Sequence, residues 1–187
     1  MRVYNFDLET TDLKGDFGRL RVACFGEVKA DGSLGQIFTK DILDFRGNNQ
    51  AQRERQLAKW IWEKMDESDI LIGHNVKAFD RNFLNGRFAR HELPIAPFRM
   101  YLDTYHIARF GLKGLLQSYS QESVAKFFGI KEIKFKPEKD DWADCNAMIP
   151  RGVRIIRKRC IMDVKQNNAI FNKLRPYWHV WQNSKTR

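Results

Sequence analysis

Residues 6–12 read Phe-Asp-Leu-Glu-Thr-Thr-Asp. Asp7 and Glu9 stand two residues apart inside an apolar, aromatic run. Strand side chains alternate between faces, so the two acids share one face while Tyr4, Phe6 and Leu8 share the other. The second face reads as core. Two carboxylates on one face repel each other and raise each other's pKa unless a cation lies between them. A divalent ion fits, because Mg²⁺ prefers oxygen ligands and is held through one or two carboxylates together with phosphate oxygens. Taken alone, the pattern serves equally well for two solvated acids on an exposed strand face.

The stretches around this pair set its frame. Leu13–Gly18 (LKGDFG) supplies turn residues, and residues 19–29 read as a second strand. Ala30–Ser33 (ADGS) is a turn signal, and residues 34–40 give a third strand, so an antiparallel meander is expected. Residues 50–66 carry helical spacing through Leu57, Ile61 and Met65. Ile70–Ile72 is a short apolar strand running into Gly73-His74-Asn75. A helix over 78–90 stops before Pro94, and a further strand is expected at 99–103. Helices follow at 104–110 and 120–128. Residues 131–147 read as charged and irregular. A last helix runs from Gly152 to Leu174, before Pro176. Three strands, then alternating helix and strand, then helices, predict an α/β fold with a mixed central β-sheet flanked by helices.

Composition narrows the partners. The chain has 187 residues, enough for one domain with a substantial core, and a net charge of +10. The positive charge points to a polyanionic partner, nucleic acid or an anionic membrane surface. No apolar run approaches the ~18 residues needed to cross a bilayer. The first residues lack the basic-then-apolar pattern of a signal peptide. The expectation is a soluble, intracellular, cytoplasmic protein with no membrane partner. Cys24, Cys145 and Cys160 form no CxxC pair, and the four histidines are scattered, so neither a disulfide framework nor a zinc site is predicted.

Two further acids stand in informative places. Asp80, in GHNVKAFDRNFL, opens a predicted helix just after a buried strand. A helix cap explains it as readily as chemistry does. Asp163, in RIIRKRCIMDVKQNN, lies beside an apolar stripe formed by Val153, Ile156, Cys160 and Val164, which makes it at least half buried. An ordinary ion pair with a neighbouring Lys or Arg is the plainer reading.

In combination these residues resemble the DEDD (DnaQ-like) superfamily of 3′→5′ exonucleases, which have a ribonuclease-H-like fold. Its first motif, D-x-E on the first strand, is similar to FDLETTDL here. Its second, N-x-x-x-[FY]-D, is similar to Asn75 through Asp80, and its third ends in an Asp on the last long helix, here Asp163. Leu102-Asp103-Thr104, residues 126–136 and the stretch holding Trp142 add to the likeness, which runs to about residue 174. The resemblance implies a single exonuclease domain over 1–176 and a C-terminal tail over 177–187. It implies that Asp7, Glu9, Asp80 and Asp163 hold two divalent ions, Mg²⁺ or Mn²⁺, about 3.5–4 Å apart. The implied reaction releases nucleoside 5′-monophosphates from single-stranded 3′ ends, with DNA favoured over RNA. Thr10, Thr11 and Leu13 match positions beside the terminal nucleotide. Asn75 and Phe79 match positions near the substrate strand, although plain core packing also accounts for Phe79. A polymerase acting in trans is an implied protein partner.

One position departs from the pattern. The family's branches carry Y-x-x-x-D or H-x-x-x-x-D before the last Asp, whereas Arg159 and Lys158 stand there in this chain. The surrounding RCIMDV otherwise resembles the tyrosine branch. Arg cannot act as a base near neutral pH, but its fork suits phosphate. Arg159 is therefore a candidate catalytic and phosphate-binding residue, with His74 and His106 as alternative bases. The other class of reading is a catalytically inactive module of the same fold that binds 3′ ends. A ribonuclease-H-type endonuclease is disfavoured by the two-residue spacing of Asp7 and Glu9. The basic runs 81–90 and 151–159 would flank the acids and track a phosphate backbone, or simply be solvated helix faces. Tyr177, Trp178 and Trp181 are candidates for base stacking, with core packing favoured.

Overall fold

The computed structural model describes residues 1–97, 99–131 and 136–178. Five strands form one sheet: β1 (Val3–Thr10), β2 (Leu20–Val28), β3 (Leu34–Asp41), β4 (Ile70–Gly73) and β5 (Met100–Asp103). Their order is β3-β2-β1-β4-β5. β1, β2 and β3 pair antiparallel, as the meander predicts, while β4 and β5 run parallel to β1. β1 is therefore central, with Asp7 opposite Cys24 and Glu9 opposite Val22 of β2. The helices are α1 (Gln50–Asp66), α2 (Asp80–Arg90), α3 (Thr104–Gly111), α4 (Gln121–Phe127), α5 (Lys139–Asn146) and α6 (Pro150–Leu174).

Alternation along β1 sorts its side chains as expected. Tyr4, Phe6 and Leu8 are buried. Phe6 meets Phe25 at a ring-centroid distance of 4.6 Å, and Phe25 meets Trp60 of α1 at 5.6 Å, so α1 covers this face. Leu57, Ile61 and Met65 complete it with no exposed surface, each contributing about 1.5–3 kcal/mol. The other face lies under α6. Asn167 Nδ2 donates to Asn5 Oδ1 at 2.9 Å, and the Cys160 thiol donates to the Asp7 carbonyl at 3.4 Å. The predicted stripe Val153, Ile156, Cys160 and Val164 is fully buried against the sheet. All three cysteines are free and buried.

Residues 131–147 differ from expectation, because helix α5 occupies their second half. Its charges hide a compact helix. The backbone N–H of Glu138 donates to Asp141 Oδ2 at 3.0 Å at its start, the reciprocal contact of a capping box. Cys145 is buried, and Arg21 Nη2 donates to the Asn146 carbonyl at 2.8 Å at the other end. α5 packs so tightly on α6 that a Cβ at Gly152 would collide with Asp144 and the Cys145 backbone. α6 starts at Pro150, two residues before the expected start, because proline suits the first helical turn. It ends at Leu174, and a 3₁₀ turn (Arg175–Tyr177) follows. Tyr177 and Trp178 pack on the cluster around Ile170, Phe171 and Leu174, in line with the core reading. Trp181, most of the tail expected over 177–187, and residues 132–135 of the 126–136 stretch lie outside the described residues. Among the described residues no helix is long and apolar enough to cross a membrane.

Candidate functional site

β1 and α6 bring three of the predicted acids together. Asp7, Glu9 and Asp163 each offer a carboxylate oxygen, and these atoms lie within 4.8 Å of one another. Glu9 and Asp163 are buried, and Asp7 Oδ2 is sealed from solvent with no hydrogen-bond partner among the described residues. Burial pushes the Asp7 carboxyl well above the usual carboxylate range, and the charges of Glu9, Asp163 and Asp80 push it further. The two solvated acids of the plainer reading are thus excluded. The donor set is all carboxylate, its members converge, and one oxygen lacks a partner. Those features fit a hard divalent cation such as Mg²⁺ or Mn²⁺.

Asp80 stands outside this tight trio but within its electrostatic reach. Burial raises its carboxyl to about 8, with Asp103 and Glu9 adding to the effect. It is not the cap of α2. Phe79 holds that position without a side-chain cap bond, and Asp80 is the first helical residue. The turn before it is fixed by Asp103, fully buried at the end of β5, which accepts the backbone N–H groups of Asn75 (2.8 Å) and Lys77 (3.3 Å). Asn75 has φ +65°, a left-handed conformation that Asn tolerates better than most residues.

A family model for the RNase_H superfamily (RNase_H_2) matches residues 4–138, most of the chain. The chain belongs to the RNase_H superfamily. No curated protein sequence matches it. Solved structures show the same fold. The family B DNA polymerase of the hyperthermophilic archaeon Pyrobaculum calidifontis superimposes with a TM-score of 0.70 at 17% identity, over 94% of this chain and 25% of that one. Escherichia coli exonuclease I in complex with a dT13 oligonucleotide gives a TM-score of 0.64 at 12% identity, over 93% of this chain and 41% of that one. The chain thus spans well under half of either longer chain. At such identities the likeness is one of fold. The family match ends before α6, so the roles of Asp163 and Arg159 rest on geometry.

In this RNase_H superfamily member, Arg159 lies one turn before Asp163 on α6 and reaches across to β1. Its Nε donates to Glu9 Oε1 at 2.9 Å, and its Nη2 lies 3.4 Å from Asp163 Oδ2. The guanidinium carbon sits 5.6 Å from the centre of the Trp142 ring of α5, a cation–π distance. Burial favours the neutral form of Arg159, but Glu9 and Asp163 outweigh it and hold the guanidinium more firmly protonated. Arg159, Asp163 and Asn167 thus form an i, i+4 ladder along the edge of the site.

The remaining expected residues are sorted by their contacts. Thr10 Oγ1 donates to the Asp12 carbonyl at 2.7 Å, and Thr11 Oγ1 accepts the Arg19 N–H at 3.0 Å. Both therefore shape the loop after β1. That loop is braced by Arg87 Nη1, which donates to the Gly15 carbonyl at 3.0 Å. It presents Leu13 and Phe17 with about three quarters of their surface exposed. Phe79 packs against the core and meets Phe83 at 5.9 Å. His74 Nδ1 lies 3.0 Å from Thr104 Oγ1, and His106 Nε2 lies 3.9 Å from Asp103 Oδ2. Both histidines are thereby engaged with the Asp103–Thr104 segment at the start of α3.

The basic runs are partly committed elsewhere. Arg151 pairs with Asp141 and Asp144, and Arg157 with Asp41 and Asp44. Arg87 forms a buried pair with Glu54 at 2.8 Å. These three are engaged in ion pairs within the protein. Arg154, Lys158 and Arg90 stay exposed. The sequence reading missed Asn5 and Asn167, although a signal existed. Asn5 shares a strand face with Asp7 and Glu9, and Asn167 is four residues beyond Asp163.

Proposed function

We propose that the chain is a divalent-metal-dependent 3′→5′ exonuclease of the DEDD type, closest to its tyrosine branch, acting on single-stranded ends with DNA favoured over RNA. One observation carries this reading: Asp7, Glu9 and Asp163 converge within 4.8 Å on a core β-strand and its covering helix, beside the buried Asp80. Asp7, Glu9 and Asp163 would hold one ion, and Asp7 with Asp80 a second. Two ions held there supply an activated water and stabilise the leaving 3′ oxygen. The protein's own groups do the rest. Arg159, unable to take a proton, grips the scissile phosphate with its fork. Thr10 and Thr11 shape the loop that carries Leu13 to the terminal base. Asn75 and Phe79, on the turn before Asp80, border the strand. The expected product is a nucleoside 5′-monophosphate.

The net charge of +10 supports a nucleic-acid partner. The complex of exonuclease I with a dT13 oligonucleotide supports a single strand, and a similar fold inside a DNA polymerase chain supports an association with a polymerase. A second reading, an inactive module that binds 3′ ends, is favoured by Arg159 standing against two of the acids. Labelled DNA and RNA strands, incubated with Mg²⁺ or Mn²⁺ beside an Asp7→Ala control, separate the two. A ladder shortening one nucleotide at a time from the 3′ end, absent in the control, supports the exonuclease. Retained binding without cleavage supports the end-binder.

A further inference from the structure

Arg159 makes contacts that a residue devoted to phosphate would not need. Its Nε is directed at Glu9 Oε1 and its Nη2 at Asp163 Oδ2, two of the three carboxylates that form the tight trio. Carboxylate lone pairs used by guanidinium N–H groups are not available at full strength to a cation, and a nearby guanidinium repels a divalent ion directly. A tyrosine at this position, as in the branch the chain resembles, carries no charge and does not compete. The Trp142 ring on α5 backs the guanidinium in this same position, 5.6 Å from its carbon.

We propose that Arg159 is an exchangeable internal counter-ion: it neutralises Glu9 and Asp163 until a divalent cation enters the trio, then turns out of the cradle to meet the substrate's phosphate. The inference rests on the metal-dependent reading above and adds a competition to it. Arg159 stabilises the acid cluster while no divalent ion is bound, and metal affinity falls by the free energy of breaking its two contacts. The displaced guanidinium is then free to bind a phosphodiester, so metal loading and substrate grip are linked through one side chain. Binding of metal and of a strand reinforce each other, because each favours the same turned-out position.

The test is a calorimetric Mn²⁺ titration of the full chain, with no substrate present, on wild type, Arg159→Leu, Arg159→Tyr and Arg159→Lys. Each variant is first checked for a wild-type circular dichroism spectrum. Arg159→Leu and Arg159→Tyr are expected to bind Mn²⁺ about tenfold more tightly than wild type, equivalent to about 1.4 kcal/mol, while Arg159→Lys stays near wild type. The unmutated protein gives an independent readout. The Arg159 Nε–H resonance is expected to move during a Mg²⁺ titration, as its contact with Glu9 is lost. Equal Mn²⁺ affinity in all four proteins, with a stationary Arg159 resonance, overturns the counter-ion and leaves the nuclease reading standing. Mn²⁺ binding by Arg159→Leu and Arg159→Tyr but not by wild type overturns the exchange, leaves Arg159 a fixed counter-ion, and removes metal-dependent cleavage from the wild type. Absence of binding in every protein overturns both.

Discussion

The Asp103 carboxylate accepts the backbone N–H of Asn75 across 28 residues of sequence, at 2.8 Å and without solvent exposure. The same side chain accepts from Lys77 and from Tyr105 at the start of α3. One buried acid on β5 therefore fixes the turn that delivers Asp80 and the N-terminus of the next helix. Asp103→Ala leaves the part-buried N–H groups of Asn75, Lys77 and Tyr105 without this acceptor, at up to about 1–3 kcal/mol each. The expected outcome is a loss of stability in urea denaturation together with a drop in cleavage of about tenfold or more. Asp103→Asn, which keeps one acceptor oxygen, is expected to fall between. Unchanged cleavage in Asp103→Ala would show that the turn holds Asp80 without it.

Metal ions bound only by the folded protein stabilise it. Mn²⁺ at about 100 times its dissociation constant adds about 2.7 kcal/mol, and chelation removes that increment. Asp7 belongs to the trio and its Oδ2 has no protein partner among the described residues. Asp7→Asn is therefore expected to fold, to lose the Mn²⁺-dependent rise in melting temperature, and to lose cleavage. Differential scanning calorimetry with and without EDTA reads the effect, and a full metal-dependent rise in Asp7→Asn would place the ions elsewhere.

The buried pair of Glu54 and Arg87 predicts a defined acid limb. Burial alone would raise the Glu54 carboxyl, but the adjacent His91 ring, 3.5 Å away, and hydrogen bonds from Arg87 and the Leu20 N–H outweigh it and hold it below the ordinary glutamate value. A depressed folded-state pKa contributes stability that is present above the unfolded pKa and lost as pH falls through the folded value. Glu54→Gln leaves Arg87 buried without a charge partner and is expected to cost about 3–5 kcal/mol at neutral pH. The gap between wild type and variant should narrow as pH falls below the ordinary glutamate value of 4.5. Urea titrations from pH 7 to pH 3 measure it, and a gap independent of pH would count against the ion pair.

Leu13 and Phe17 are large apolar side chains held in the open on the loop that Arg87 braces. They pack on little of the protein, so truncating both is expected to change stability by less than about 0.5 kcal/mol. Base stacking is worth about 1–3 kcal/mol per base. The double variant Leu13→Ala, Phe17→Ala should therefore bind a labelled single strand about tenfold or more weakly in fluorescence anisotropy. Wild-type binding by the double variant would remove this loop from the strand's path.

Local periodicity carried much of the result. The alternation of Tyr4, Phe6 and Leu8 with Asn5, Asp7 and Glu9 determined which face of β1 is core and which holds acids. The spacing of Leu57, Ile61 and Met65 determined α1 to the residue, and Arg159 and Asp163 were on one helix face by their spacing alone. These patterns are complete within a window of a few residues. Helix α5 escaped because its charged residues mask a short apolar stripe whose burial depends on α6. Pairing across the chain was decided only by tertiary structure. Arg159 and Glu9 are 150 positions apart, and Arg157 and Asp41 are 116 apart. A run such as RGVRIIRKR shows how many cations are available and not which carboxylate each one meets. The central placement of β1, with α6 laid across it, sent Arg157 to a structural ion pair and Arg159 to the acids. Ion pairs act over a few ångströms in space, and sequence fixes that distance only between neighbours.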